Sequence, residues 1–321
     1  MLEFYGIYSQ LLRQYIDFKR NLGYRYESEY SYRDFDRFTQ NQGCKSIGLT
    51  KELCQLWSSK RPNESNSNCY RRVSNIRNFS LYLNSLGIKS YVPSQPKKFK
   101  TTFIPYIFSH DEIKQFFSAC DHLPITGYSN LTWILPAVFR LIYGCGLRVN
   151  EALYLKYEDV NIKKCYIIIH NTKNGQDRML PFTDSVAKVL TEYLQYREKL
   201  NTSSEFFFIK KNGDHCSRDA IYRWFRKILY RARISHGGRG YGPRLHDLRH
   251  SFSVHSLASM AEKGLDLYYS LPILSKYLGH SSLKATDKYV RLTADMYPEI
   301  MNGINSLCTY VFPEVDTHET K

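Results

Sequence analysis

Apolar residues recur at helical spacing through Phe4, Leu11, Leu12, Tyr15, Ile16 and Phe18, and the pattern stops at Asn21-Leu22-Gly23. A second run passes through Tyr32, Phe35 and Phe38 and ends at Gly43. Thr50 is a good N-cap for a helix over 51–59, and a longer segment from about residue 67 closes at Leu86-Gly87. These segments, with no alternating stretch among them, predict a four-helix bundle.

Between 91 and 105 the periodicity lapses. Pro93, Pro96 and Pro105 flank Lys97-Lys98-Phe99-Lys100, a composition that predicts an extended, exposed linker. Laid along a phosphate backbone, its lysines would act as a basic strap. Ser109-His110-Asp111-Glu112 then reads as a capping box opening a helix. Further helical patterns cover 129–144, 149–156, 184–199, 217–233, 246–261, 268–278, 283–291 and 296–306. Two strands interrupt them, at 165–169 and 178–180. They are joined by Asn171-Thr172-Lys173-Asn174-Gly175, whose Asn-Gly pair signals a hairpin. The expected fold class is mainly α: an N-terminal four-helix bundle, then a mainly helical domain with a small antiparallel β-sheet.

A length of 321 residues suits about two domains at roughly 100–200 residues each. The 45 Lys+Arg against 30 Asp+Glu leave a net charge of +15, and residues 1–100 hold 17 of the basic and 8 of the acidic side chains. Such an excess points to a polyanionic partner, with nucleic acid ahead of membrane. The most apolar stretch, 131–139, falls far short of the ~20 residues of a membrane span. Met1-Leu2-Glu3-Phe4 lacks the basic start of a signal peptide. The 8 cysteines occur singly, with no Cys-x-x-Cys, so reduced and packed thiols of a cytoplasmic protein are expected.

Nucleotide chemistry has no support. There is no Gly-x-x-x-x-Gly-Lys, and Gly144-Cys145-Gly146 runs into Leu147-Arg148-Val149 instead of completing a dinucleotide fingerprint. His246 and His250 have the spacing of a zinc pair, but Arg249 would set a cation beside the metal, so no metal is expected. The same helix suits an anion. His246 and Arg249, three residues apart, share a face and offer an imidazole and a planar fork of donors to a phosphate. Arg148 stands between a glycine turn and a helix start, where backbone N–H groups also point at anions. Lys173 sits at a hairpin tip, His280 in the turn Leu278-Gly279-His280, and Tyr289 nine residues further on.

In this order and spacing, three motifs resemble the tyrosine recombinase (phage integrase) family, with its Xer and Cre-like recombinases and mobile-element integrases. They are Gly-Leu-Arg148-x-x-Glu-Ala-Leu, His246-Asp-Leu-Arg249-His-Ser-Phe and Leu-Gly-His280-Ser-Ser-x-x-x-Thr-x-x-Tyr289. The resemblance covers about 105–305. The stretch 258–278, containing Leu271-Pro272, is longer than the family pattern and looks like an insertion.

The resemblance implies a core-binding, SAM-like helical DNA-binding domain over 1–90, a basic linker over 91–105 and a catalytic domain over 106–321. It implies a site-specific DNA recombinase or integrase of a mobile element, with Tyr289 as nucleophile and a 3′-phosphotyrosine intermediate. Arg148 and Arg249 would clamp the non-bridging oxygens, His246 and His280 would add hydrogen bonds, and Lys173 would protonate the departing 5′ oxygen. The physical logic agrees. A phenol with pKa near 10 is only about a thousandth ionised at pH 7, and surrounding cations favour the phenolate and the phosphorane.

No ATP, metal or other cofactor is expected. Lys97, Lys98, Lys100, Arg71 and Arg72 are the expected DNA contacts. The expected partners are double-stranded recombination sites, further copies of the chain in a homotetramer on DNA, and DNA-bending accessory proteins, but no membrane. An amphipathic tail helix with Met296, Ile300, Met301, Ile304 and Leu307 would dock the protomers. The expected setting is the bacterial cytoplasm, at the nucleoid, or a mobile element's coding capacity. A type IB topoisomerase uses similar residues but reseals the same strand, and a silent DNA-binding regulator would keep the fold. The two-domain layout and the tail after Tyr289 favour recombination over a topoisomerase, and six filled family positions argue against a silent regulator.

Overall fold

Buried aromatic rings organise the first hundred residues. The computed structural model describes residues 3–24, 29–96, 103–124, 129–170, 177–200, 202–238, 241–280 and 282–299, without the side chains of residues 268, 284 and 285. The chain divides into two compact units, Met1–Phe103 and Ile104–Lys321. The first holds α1 (Ser9–Asn21), α2 (Glu29–Asn41), α3 (Lys51–Ser58) and α4 (Asn66–Ser85). Tyr8, Tyr15, Tyr32, Phe35, Trp57 and Phe79 fill its core. Edge-on contacts such as Phe35–Trp57 at 5.1 Å and Tyr15–Tyr32 at 5.7 Å hold the helices in register, each worth about 0.5–1.5 kcal/mol beyond area burial. Thr50 and Ser65 cap α3 and α4 by accepting N–H bonds from Leu53 and Asn68.

Helix α1 begins at Ser9, later than the apolar pattern starting at Phe4. Buried Asp36 accepts the N–H groups of Tyr5 (2.8 Å) and Gly6 (3.0 Å), which holds that backbone out of a helix. A Cβ on Gly6 would collide with the same carboxylate. At the other end, residues 91–93 are fastened to the bundle and do not run as a solvated tether. Tyr91 donates its N–H to Leu49 (2.7 Å), and Arg77 Nη1 donates to the Pro93 carbonyl (2.6 Å).

Arg72 corrects one expectation of the sequence. It is only 7% exposed, and its Nε and Nη2 both donate to the Glu64 carboxylate at 2.8 Å while its guanidinium lies over the Trp57 ring. Committed inside the bundle, it is a structural cation and not a surface phosphate contact. Arg71 is exposed and touches Asn68.

The second unit opens with α5 (His110–Asp121), whose Ser109–Glu112 capping box forms as the sequence predicts. There follow α6 (Leu131–Gly144), α7 (Val149–Leu153), a 3₁₀ turn (Tyr157–Asp159), β1 (Val160–Asn161), β2 (Tyr166–Ile169) and β3 (Arg178–Pro181). The strands form one antiparallel sheet in the order β1-β2-β3, with Ile167 opposite Leu180 and Ile169 opposite Arg178. The chain ends its described part with α8 (Asp184–Glu198), α9 (Arg218–Arg231), α10 (Asp247–Glu262), α11 (Leu267–Leu278) and α12 (Lys284–Met296).

Apolar α6 packs against α8 and α10 at the centre. Helix α10 is buried on most sides, contacting α6, α11 and α12. A second small core of Val254, Leu257, Leu267, Leu271, Leu274, Leu278 and Tyr289 joins α10, α11 and α12. Among the described residues, no helix is long and apolar enough to cross a membrane.

Candidate active site

The site is built around one buried guanidinium. Arg249, in the first turn of α10, is 1% exposed. Its Nη1 donates to the Gly146 carbonyl (2.6 Å), and its Nη2 to the Leu278 carbonyl (2.7 Å) and His280 Nε2 (3.2 Å). Two glycine turns therefore hold the arginine. Gly146 has φ +59°, and a Cβ there would meet the Phe252 ring and Leu278 at 2.6–2.8 Å, so no other residue fits without displacement. Burial, and the neighbouring Arg148 charge, lower the Arg249 pKa to about 10.

Arg148 precedes α7 with extended backbone angles and reaches Glu151 Oε1 (2.6 Å) and the Gly279 carbonyl (3.2 Å). Glu151 is the counter-ion of the cluster. Besides Arg148, it accepts from Arg178 Nη2 of β3 (2.7 Å) and lies 3.7 Å from Arg249 Nη1. Burial alone would raise its pKa, but the Arg178 hydrogen bond and charge, followed by Arg148, bring it down to about 2.

His280 follows Gly279, whose φ of +65° places the turn beside Arg178. Because a guanidinium only donates, His280 Nε2 accepts from Arg249, and its Nδ1–H therefore donates to Thr286 Oγ1 (2.8 Å). Desolvation and the two arginines lower its pKa to about 4. His246 stands at the N-cap of α10. Its edge is exposed, yet the cleft around it and the charges of Arg249, Lys288 and Arg148 also lower its pKa to about 4.

Tyr289 of α12 is 1% exposed, stacked at 6.3 Å on the His280 ring, with Lys288 Nζ 5.0 Å from its own ring. Its hydroxyl meets His250 Nδ1 at 2.7 Å. Desolvation raises the phenol pKa, opposed by the Ser253 hydroxyl and by Arg249 and Arg148. His250 is buried among these cations and held neutral, its pKa lowered first by desolvation and then by His246 and Lys288.

Of the expected site residues, Arg148, His246, Arg249, His280 and Tyr289 thus come together. Lys173, Lys97, Lys98 and Lys100 lie outside the described residues, as does the tail from residue 300 with Ile300, Met301, Ile304 and Leu307. Glu151, Arg178, His250 and Lys288 join the cluster without having been singled out for it. Glu151 had a signal, since it stands three residues into the helix after Arg148. Arg178 had none, because its meeting with Glu151 depends on the packing of β3 against α7. Among the described residues, no three His, Cys, Asp or Glu side chains are grouped to hold a metal ion.

The phage integrase family model matches residues 107–296. The Sinorhizobium fredii protein y4rB is 28% identical over 92% of this chain and 96% of its own length. Tyrosine recombinase XerA of Pyrococcus horikoshii is 30% identical over 68% of this chain and 70% of its own. In three dimensions the Tn1549 transposon integrase, solved in complex with transposon right-end DNA, covers 90% of this chain and 98% of that one, with a TM-score of 0.62 at 15% identity. The chain belongs to the phage integrase family, the tyrosine recombinases. The mainly helical architecture with its small sheet is the fold it shares with the transposon integrase.

Proposed function

We propose that this chain is a site-specific recombinase of a mobile element that breaks and rejoins duplex DNA through Tyr289. The observation that carries the reading is the convergence of Arg148, Arg249 and His280 beside Tyr289, with Glu151 between the arginines. Arg148, Arg178, Arg249 and Lys288 against Glu151 and Asp247 leave a net positive cavity, which suits a phosphodiester and not a neutral substrate. The groove past His246 continues to Arg244, His236, Tyr222, Asp219 and Arg218, whose two arginines outweigh the one aspartate and suit a phosphate backbone.

In this reading Tyr289 Oη attacks the scissile phosphorus and passes its proton to solvent water, while the bond to the 5′ oxygen breaks and Lys173 protonates the leaving group. Arg148 and Arg249 neutralise the non-bridging oxygens of the phosphorane, each worth about 3–4 kcal/mol of barrier. His246 and His280 supply hydrogen bonds; His280 must exchange its bond from Arg249 for one to the phosphate. The 3′-phosphotyrosine keeps the backbone bond energy, so attack by a second strand's 5′ hydroxyl reseals DNA without ATP. The cations belong to the protein, so the reading calls for no metal.

The basic first unit, with exposed Arg71 and the lysines at 97, 98 and 100, would hold the duplex. Strand exchange requires a homotetramer on paired sites, docked through the tail after Tyr297, with accessory proteins bending the DNA. The transposon integrase with its DNA end supports the mobile-element setting. The test is to incubate the protein with two labelled duplexes carrying the sequence at its element's ends. Exchange of label between duplexes supports recombination. Relaxation of supercoils with no exchange would favour a topoisomerase.

A further inference from the structure

Lys288 immediately precedes Tyr289 on α12, and its Nζ lies 5.0 Å from the centroid of the Tyr289 ring. The arginines of the cluster are committed to fixed partners. Arg249 donates to the carbonyls of Gly146 and Leu278, while Arg148 and Arg178 pair with Glu151. Lys288 has no ion-pair partner among the described residues, and the acid that favours its charge, Asp247, already accepts the Arg244 N–H (2.7 Å). Desolvation, then the Arg249 charge, lower the Lys288 pKa. Its ammonium in turn disfavours charge on His246, His250 and His280. An unpaired cation thus lies against the ring of the proposed nucleophile.

The two side chains leave neighbouring positions of one helix, so their spacing is set within α12 and not by how that helix packs. The Tyr289 ring is buried, and desolvation raises the pKa of its phenol. An attacking phenol needs a positive charge that stays with it when its hydroxyl exchanges His250 for a phosphate. Arg148 and Arg249, tied to the turns at Gly279 and Gly146, are fixed in place. We propose that Lys288 is the electrostatic partner of the nucleophile, an ammonium that accompanies Tyr289 to the scissile phosphate and stabilises the phenolate that attacks. This rests on the reading of Tyr289 as nucleophile. In that step the bond from Oη to phosphorus forms and the bond from phosphorus to the 5′ oxygen breaks. The phenol proton goes to solvent water, and Lys288 keeps its own. A lysine that was only a solvated side chain of α12 would leave the ionisation of the phenol untouched.

The test is single-turnover cleavage at neutral pH of a suicide duplex bearing the element's site, with sulfur in place of the scissile 5′ oxygen. Sulfur leaves without a proton, so no effect seen there comes from a lysine acting as the acid. Lys288→Met is expected to cleave about tenfold more slowly, since one opposite charge at this range moves a pKa by about one unit and the ionised fraction with it. Lys288→Arg, which keeps the charge, should cleave near the unsubstituted rate. The deciding comparison repeats Lys288 and Lys288→Met with a fluorinated tyrosine at position 289, whose phenol is already ionised at neutral pH. There the two proteins are expected to cleave alike, which also shows that the Met variant is folded and binds DNA. Equal slowing with both tyrosines, or no slowing with either, overturns the role of Lys288. A covalent adduct formed by Tyr289→Phe on the same duplex overturns the reading of Tyr289 instead, and the partnership with it.

Discussion

The hydroxyl of Tyr289 lies 2.7 Å from His250 Nδ1, on a side chain that is only 1% exposed. The proposed nucleophile is thus turned into the protein, sharing its proton with a neutral imidazole one helical turn beyond His246. Thr293 reinforces this by donating its hydroxyl to the Tyr289 carbonyl (2.8 Å). If Tyr289 is the nucleophile, that oxygen has to leave His250 to meet a phosphate arriving from solvent, and a shift of α12 is the expected way.

That shift is measurable by hydrogen exchange. Amides of α12 are expected to lose protection when the protein binds a duplex bearing its site, because the helix leaves its packing on α10 and α11. Unchanged or greater protection in the cleavage-competent complex would show that Tyr289 acts from where it lies.

Arg148 and Arg249 should separate in their effects. Either change to Lys is expected to slow cleavage by several orders of magnitude, since a point charge cannot replace a bidentate fork. Only Arg249→Lys should also lower thermal stability, because its guanidinium holds the Gly146 and Leu278 carbonyls together. Arg148→Lys should unfold close to the wild-type temperature. Near-normal cleavage by both would dispose of the clamp.

Glu151 links three arginines, two of them nearly buried, and its removal leaves those charges uncompensated. Glu151→Ala is expected to cost about 3–5 kcal/mol of unfolding free energy. The sign with pH follows from its lowered pKa. The folded carboxylate binds its proton later than the unfolded one, so its stabilisation is full above the ordinary value of 4.5 and is lost as pH falls towards about 2. Thermal melts of Glu151→Gln should lack that acid-limb loss; an identical acid profile would mean the carboxylate is not coupled to the arginines.

The basic excess of residues 1–100 predicts a steep salt dependence of DNA affinity, about 0.9 in log–log slope per phosphate neutralised. Replacing Lys97, Lys98 and Lys100 with Ala should flatten that slope by up to about three units, and equally on specific and random DNA. An unchanged slope in a filter-binding titration would leave those lysines as solvated residues.

Much of this was legible along the chain, for identifiable reasons. The hairpin strands announced themselves through consecutive Ile167, Ile168 and Ile169 and the Asn174-Gly175 turn, whereas β1 is two residues long and carries no pattern. Helix α12 extends to Met296, past the expected end at 291, and its buried Thr293, a polar residue that breaks the apolar pattern, lies on the packed face. Adjacent Arg71 and Arg72 look alike in sequence. On a helix they point about 100° apart, so one meets solvent and the other meets Glu64 and Trp57. The spacing of His246 and His250 was visible as a pair. That the second faces Tyr289, 39 residues later, depends on how α12 packs on α10. The family motifs marked the cations and carried Glu151 in the first of them, but its pairing with Arg178 of β3 could be recognised only from the contacts.

The proposed chemistry turns on Tyr289 becoming covalently joined to DNA. A nicked suicide duplex carrying the element's site traps such an adduct, and protease digestion with mass spectrometry locates the modified residue. A 3′-phosphate ester on Tyr289 is expected, and no adduct from Tyr289→Phe despite DNA affinity close to wild type. An adduct that persists in the Phe variant, or that maps to Tyr297, would contradict it.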